Sequence, residues 1–371
     1  MRADGIGLYV HVPFCIRKCN YCDFCSFPNL SDAEYNAYTE SVIAEIETYK
    51  RENSISVDTV FFGGGTPSLL PIKYFERISS AIRSTFDTSA LCEFTVEVNP
   101  KTLDRDKCIA YKSLGVNRIS IGLQSIHDIE MKALGRVHTL SDFEDSYSLA
   151  EEYFRRVSVD LMYGIPHQTL ESFEATLKYV VKKAPEHISV YGLIIEEGTP
   201  FYEKKTTLPI PTEDEECDMY DMAARLLSGN GYEHYEISNY SRSGCSCLHN
   251  LKYWHDEEYI GVGPAAASYF GKKRYVNTNS LDEYLTKDFA KYRRTESSLD
   301  ERYEYSMLRL RLLEGISLKE YRDIFGEDFT SGREDKIFEY ERLGYLNVDQ
   351  DRIHFTERGF YISNYLLSEL L

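Results

Sequence analysis

Nowhere in these 371 residues do apolar side chains run long enough to cross a bilayer as a helix, which takes about 20 residues. No charged segment followed by an apolar one opens the chain as an export signal would. Cysteine is sparse and odd in number, nine in all, far below the density of a disulfide scaffold. Tryptophan occurs once, at Trp254, and no internal repeat or low-complexity tract stands out. Cations are in deficit, 42 Lys and Arg against 60 Asp and Glu, for a formal charge of −18. A nucleic-acid surface needs clustered Lys and Arg, so that partner class is not expected. What is left is a reduced, cytoplasmic globular protein, long enough for one large domain and a smaller one.

Six β-branched runs of strand length recur: 6–12, 57–62, 93–98, 117–123, 156–164 and 187–193. Segments with helical spacing lie between them, such as 33–52 and 170–184. Alternation of this kind predicts βα units and a parallel sheet, most economically a barrel or partial barrel; an open doubly wound sheet is the alternative. Residues 213–230 predict a further helix, ended by Gly229 and Gly231. From about residue 300 the order is helix, short helix, helix, a hairpin around "LNVDQDRIHFT" and a last helix, an order similar to a winged helix-turn-helix. That stretch holds 10 Lys and Arg against 15 Asp and Glu, so partner docking fits it better than DNA. The expected division is a core over 1–235, a connecting segment over 236–300 and a C-terminal domain over 301–371.

What is present in quantity is local. "HVPFCIRKCNYCDFCSF" packs Cys15, Cys19, Cys22 and Cys25 into eleven residues directly after the first strand. Structural zinc sites draw on two pairs with a longer insert between them, whereas a single dense loop suits an iron–sulfur cluster. Cys15, Cys19 and Cys22 form a C-x3-C-x2-C core with Tyr21 just before the third thiol. Three thiolates on a four-iron cluster would leave one iron for a substrate.

This pattern resembles the radical S-adenosylmethionine superfamily. The resemblance implies that the open iron chelates the amino and carboxylate groups of S-adenosylmethionine, whose sulfonium is cleaved to a 5′-deoxyadenosyl radical. It assigns the cluster to Cys15, Cys19 and Cys22. It assigns the S-adenosylmethionine contacts to Tyr9, Tyr21, Gly64, Gly65, Thr66, Glu97, Gln124, Arg136 and Asp160. The residues themselves suit such roles. "GGGTP" (63–67) ends the second strand with backbone N–H groups a ligand can approach closely. Glu97 ends the third strand, and Gln124 with Ser125 ends the fourth. Asp160 lies within an apolar strand and needs a partner there; a structural ion pair is its plain alternative.

Over nearly the whole chain, "YVHVPFC", "FFGGGTPS", "TVEVNP", "LGRVH", "DLMYGIPHQTLE", "GYEHYEISNY" and "HNLKYW" resemble the oxygen-independent coproporphyrinogen III oxidase superfamily. Its oxidase branch carries a fourth cysteine in a C-x-C pair and an extra N-terminal segment. Here Phe24 follows Asp23 and fourteen residues precede Cys15, which resembles the HemW heme-chaperone branch instead. Cys25 reads as a bystander, and Ala267 stands where relatives often have His. The heme candidate is His249, with Tyr253 and Trp254 as porphyrin-packing residues; its alternative is a histidine bonded to close the barrel. Cys245 and Cys247 read as incidental, and no C-x-x-C-H heme-attachment motif occurs. The expectation is a partial (β/α)6 barrel with a smaller, mostly helical C-terminal domain. It would bind cluster, S-adenosylmethionine and heme and deliver heme to an acceptor protein, with peripheral contact to membrane-bound acceptors. Oxidative decarboxylation of coproporphyrinogen III is the alternative.

Overall fold

Six apolar runs pair side by side in chain order. In the computed structural model, which describes residues 5–28, 30–51, 54–295 and 300–371, these are β1 (Ile6–Val12), β2 (Val57–Gly64), β3 (Glu93–Val98), β4 (Arg118–Gln124), β5 (Arg156–Tyr163) and β6 (His187–Gly192). All five neighbouring pairs are parallel. A doubly wound sheet would reverse its order part-way along; here it runs β1 to β6 without reversal, as a barrel's does.

Strands covered on both faces read as continuous apolar runs, and β2 and β4 are buried along nearly all their length. Between the six strands lie helices α1 (Asp32–Glu47), α2 (Ile72–Thr85), α3 (Arg105–Ser113), α4 (Asp128–Leu134), α5 (Leu140–Tyr153) and α6 (Leu170–Lys183), and α7 (Glu213–Gly229) follows β6. Several start on a reciprocal capping box, Ser31 with Glu34 and Thr212 with Glu215 among them, which satisfies N–H groups the first turn leaves free. The helix expected over 33–52 ends at Glu47, and Glu52 lies outside the described residues.

Residues 236–300 extend both ends of the sheet. The hairpin β7 (Glu233–Glu236) and β8 (Asn239–Ser241) adds antiparallel to β6. At the other edge β9 (Tyr259–Val262) pairs parallel to β1 and is followed by β10 (Ala267–Phe270), β11 (Lys273–Val276) and β12 (Arg294–Thr295). The two edges do not meet, so the twelve-stranded sheet is a partial barrel. Helix α8 (Leu248–Trp254) lies against β2.

The C-terminal region holds α9 (Glu301–Arg309), β13 (Ile316–Ser317), α10 (Leu318–Phe325), α11 (Glu334–Arg342), β14 (Leu346–Val348), β15 (Arg352–Phe355), α12 (Glu357–Tyr361) and α13 (Ser363–Leu370). Its three strands form a small antiparallel sheet. Its apolar core takes in Tyr220 of α7, with Tyr163 of β5 packed against it. Ile237 N–H donates to the Arg311 carbonyl at 3.0 Å and Leu313 N–H to that of Tyr235 at 3.1 Å. Among the described residues no helix is long and apolar enough to cross a membrane.

One buried carboxylate fastens the sheet extension to the barrel. Glu45 of α1 is 0% exposed and accepts from Gly263 N–H, Asn277 Nδ2, Tyr284 OH and Arg293 Nη2 at 2.6–2.9 Å. Removing one partner of a buried, bonded charge pair typically costs about 3–5 kcal/mol. Glu45→Ala should therefore lose about that much by urea unfolding, and Glu45→Gln, which keeps an acceptor, clearly less.

Candidate functional site

The C-terminal ends of β1 to β6 open onto one cavity of about 440 Å³. That is the end at which βα loops build sites in parallel α/β folds. Cys15, Cys19 and Cys22 line it together with Tyr21, Gly64, Gly65, Thr66, Glu97, Gln124, Arg136 and Asp160. Eleven of the residues singled out in the sequence thus come from five different strands and the loops after them to one place.

Local geometry explains the residue types. Gly64 sits at φ 109°, and a Cβ there would stand 2.5 Å from His11 Cε1, so only glycine fits. Its N–H donates to Glu97 Oε2 at 3.1 Å. Thr66 Oγ1 lies 3.7 Å from Cys15 Sγ and accepts from Asn99 Nδ2 at 2.7 Å. Arg136 Nη2 donates to Asn99 Oδ1 at 2.8 Å and to the Gly122 carbonyl at 2.6 Å, while Nη1 reaches Cys19 Sγ at 3.8 Å. Asn99, which the sequence reading passed over, therefore links two flanks of the cysteine loop; its signal was its place two residues past Glu97 at a strand end. Gln124, at φ 70°, ends β4 beside a register shift in its pairing with β5, a left-handed conformation uncommon off glycine.

Burial governs the charges. Glu97 is pushed up to about 8, mainly by desolvation and then by Asp160 nearby. Asp160 is also raised by burial, against the hydroxyls of Ser189 and Ser120 and the charge of Arg118. Burial raises the Cys15 thiol and pushes Cys22 up to about 11. Two half-buried, desolvated carboxylates in one cavity suit a cationic ligand.

The remaining candidates stand elsewhere. Cys25 donates its thiol to the Asn279 carbonyl at 3.3 Å, and its own carbonyl is bonded by His11 Nε2 at 2.8 Å. It is not among the cavity residues. Tyr9 stands behind Gly63 beside Glu97, with its hydroxyl 3.1 Å from His11 Nδ1. Ala267 lies on the exposed side of β10.

His249 corrects the heme assignment. It is 0% exposed, stacked 5.2 Å from the Phe61 ring inside the barrel. Nδ1 meets Thr59 Oγ1 at 2.9 Å and Nε2 meets Tyr253 OH at 2.8 Å, so neither nitrogen faces an incoming iron. Helix α8 plugs the N-terminal end of the barrel, opposite the cavity. Its Leu248 and His249 N–H groups donate to Glu93 at 3.1 and 3.0 Å, and Lys252 Nζ donates to Asp58 at 2.9 Å and to the Gly5 carbonyl at 2.8 Å. Cys247 is buried, 3.5 Å from Glu93 Oε1. Tyr253 fills the interior with His249, while Trp254 lies under the Arg311 guanidinium.

Comparison with known proteins agrees with this geometry. Residues 9–180 match the Radical SAM superfamily and residues 297–362 match the HemN C-terminal domain. Heme chaperone HemW of Lactococcus lactis is 34% identical over 98% of this chain and 96% of its own. The chain belongs to the HemW family of radical S-adenosylmethionine proteins. Heme chaperone HemW of Escherichia coli is 32% identical, covering 100% of this chain and 99% of its own. The solved structure of coproporphyrinogen III oxidase (HemN) from Escherichia coli superposes with a TM-score of 0.85 over 99% of this chain and 90% of that one, at 21% identity. That likeness shows a shared fold. Membership in the superfamily implies a four-iron cluster and S-adenosylmethionine as cofactors, and the donor set fits them. Three thiols face one cavity, with the Arg136 guanidinium 3.8 Å from Cys19 Sγ.

Burial also holds His249 neutral, lowering it from 6.5 to about 3, with Lys252 adding to the effect. The unfolded chain takes up that proton near 6.5 and the folded chain only near 3, so this residue's contribution to stability is lost as pH falls across that window. His249→Gln keeps a donor and an acceptor without the titration. Wild type should be the more stable near neutrality, and urea midpoints should show the gap narrowing as the pH is lowered.

Proposed function

We propose that this chain carries heme and hands it to an acceptor protein, with a four-iron cluster and S-adenosylmethionine held in the cavity at the C-terminal strand ends. One observation carries the reading. Three thiols, two half-buried carboxylates and Arg136 line a single cavity, in a chain that aligns end to end with proteins named heme chaperones.

In this reading Cys15, Cys19 and Cys22 hold the cluster. When bound, cluster and S-adenosylmethionine supply one-electron chemistry. Glu97 and Asp160, raised by burial, are stabilised in their charged forms by a cationic ligand and so select one. Gly64 and Gly65 let the backbone approach it, and Thr66 and Arg136 orient the cysteine loop through Asn99. Gln124, Tyr21 and, from behind Gly63, Tyr9 complete the surroundings of S-adenosylmethionine. Heme is cargo, and the acidic C-terminal domain over 301–371 is the surface for the acceptor; that acceptor is a protein, with membrane-bound ones reached by peripheral contact. A cytoplasmic location goes with this role.

Anaerobic reconstitution tests the cofactor sites. Replacing Cys15, Cys19 or Cys22 by Ser should abolish the cluster, while Cys25→Ser should keep iron near wild type. Glu97→Gln should leave iron unchanged and weaken S-adenosylmethionine by about tenfold or more, the loss of a charge-assisted contact. Retention of iron in a Cys22→Ser variant would show the wrong triad.

Cargo is tested separately. Hemin should bind with a dissociation constant in the micromolar range, about −8 kcal/mol, and coproporphyrinogen III should not be consumed by cluster-loaded protein. Its steady conversion to protoporphyrinogen IX with matching 5′-deoxyadenosine release would replace the chaperone reading with the oxidase.

A further inference from the structure

Heme needs an apolar face to lie on and cations for its two propionates. The buried His249 offers neither. Large apolar side chains in solvent occur singly over most proteins, but here three stand around one opening. Phe24 is 61% exposed, Tyr191 39% and Ile194 68%, and all three line the cavity described above. Phe24 belongs to the cysteine loop after β1, and Tyr191 and Ile194 to the end of β6 and the segment after it. The first and last of the six parallel strands thus present apolar surface from opposite flanks of one opening.

The charges are as particular. Arg17 and Lys18 line the same cavity and are exposed, and among the described residues neither makes an ion pair or side-chain hydrogen bond. The cavity's other cation, Arg136, is engaged by Asn99, the Gly122 carbonyl and Cys19. Two uncommitted cations on one edge of an opening stand out in a chain of net charge −18. Asp23 and Glu196 also line the cavity, which leaves the Arg17–Lys18 edge as the side on which a dianion is attracted.

We infer that the heme of the proposed function lies across the opening of the cavity, its ring against Phe24, Tyr191 and Ile194 and its propionates on Arg17 and Lys18. The inference rests on the heme-carrying reading. Among the described residues no histidine lines this cavity, so ring faces and propionates hold the ligand rather than an imidazole on iron. A site without that bond suits a cargo that must leave. It also sets heme over the S-adenosylmethionine cavity, at the end of the barrel opposite the plug helix.

The test is equilibrium titration of full-length, cluster-reconstituted protein with hemin, with hemin dimethyl ester, whose propionates are blocked, and with iron-free protoporphyrin IX. In wild type, protoporphyrin IX should bind about as well as hemin, and the dimethyl ester more weakly. Arg17→Glu/Lys18→Glu should weaken hemin by about tenfold or more while leaving the ester unchanged. Ile194→Asp, far in sequence from the cysteine loop, should weaken all three at unchanged iron content. Wild-type hemin affinity in both variants would overturn the location while leaving the chaperone reading intact. So would a large preference of wild type for hemin over the iron-free ring, since that would show a bond to iron where the proposed site holds heme by its ring faces and propionates alone. A wild type that binds no hemin would overturn the chaperone reading itself, and the location with it.

Discussion

A carboxylate shut away from water must find donors, and Glu93 finds them in the helix that stoppers the barrel. It accepts from the backbone N–H groups of Leu248 and His249, lies 3.5 Å from Cys247 Sγ and 3.6 Å from Arg156. Such a charge is stable only while every one of those partners stays in place. The second tie, Lys252 to Asp58 and the Gly5 carbonyl, holds the far end of the same short helix. A half-barrel of six strands has two openings, and this clamp closes one. Phe61, His249 and Tyr253 then fill the space behind it. Ligands reach the interior only from the end where the cysteine loop stands.

That asymmetry sets the electrostatics. Behind a sealed floor Glu97 and Asp160 are desolvated, and their raised values follow from burial before any neighbour is considered. Arg136 is tied to Asn99 and Gly122, which organises the loop, and its charge offsets the burial of Asp160 less than Ser189 and Arg118 do. The cavity is selective for a cationic ligand, while the rim carries apolar side chains and two cations of its own. One opening therefore presents two chemically different layers. The C-terminal domain leans on α7 and the β7–β8 hairpin.

The strands were legible because most of their residues are buried and they read as runs rich in β-branched and apolar side chains; all six lie within two residues of their expected bounds. The choice between barrel and doubly wound sheet was not, because alternation of strand and helix is common to both and only pairing order separates them. The cysteine triad was legible as a spacing with Cys25 set apart as a bystander, and the structure turns the Cys25 thiol to Asn279. Tyr191 and Ile194 carried no local signal, and the signals of Asn99 and Phe24, a strand-end place and a motif position, did not say what they face. Their importance lies in what they face across the cavity, from strands that are distant in the chain.

His249 marks the boundary most clearly. Composition and motif determined the class of this protein: the family, the thiols, the carboxylates at strand ends and the dearth of cations. These are properties of residue type and short spacing, which a chain displays whether folded or not. Whether an imidazole in a short motif offers a nitrogen to iron depends on what occupies the space around it. Thr59 and Tyr253 occupy it, brought there by a plug helix whose anchor, Glu93, lies more than 150 residues earlier in the chain. Tertiary structure decided which end of the barrel is open, and with it which residues can meet a ligand.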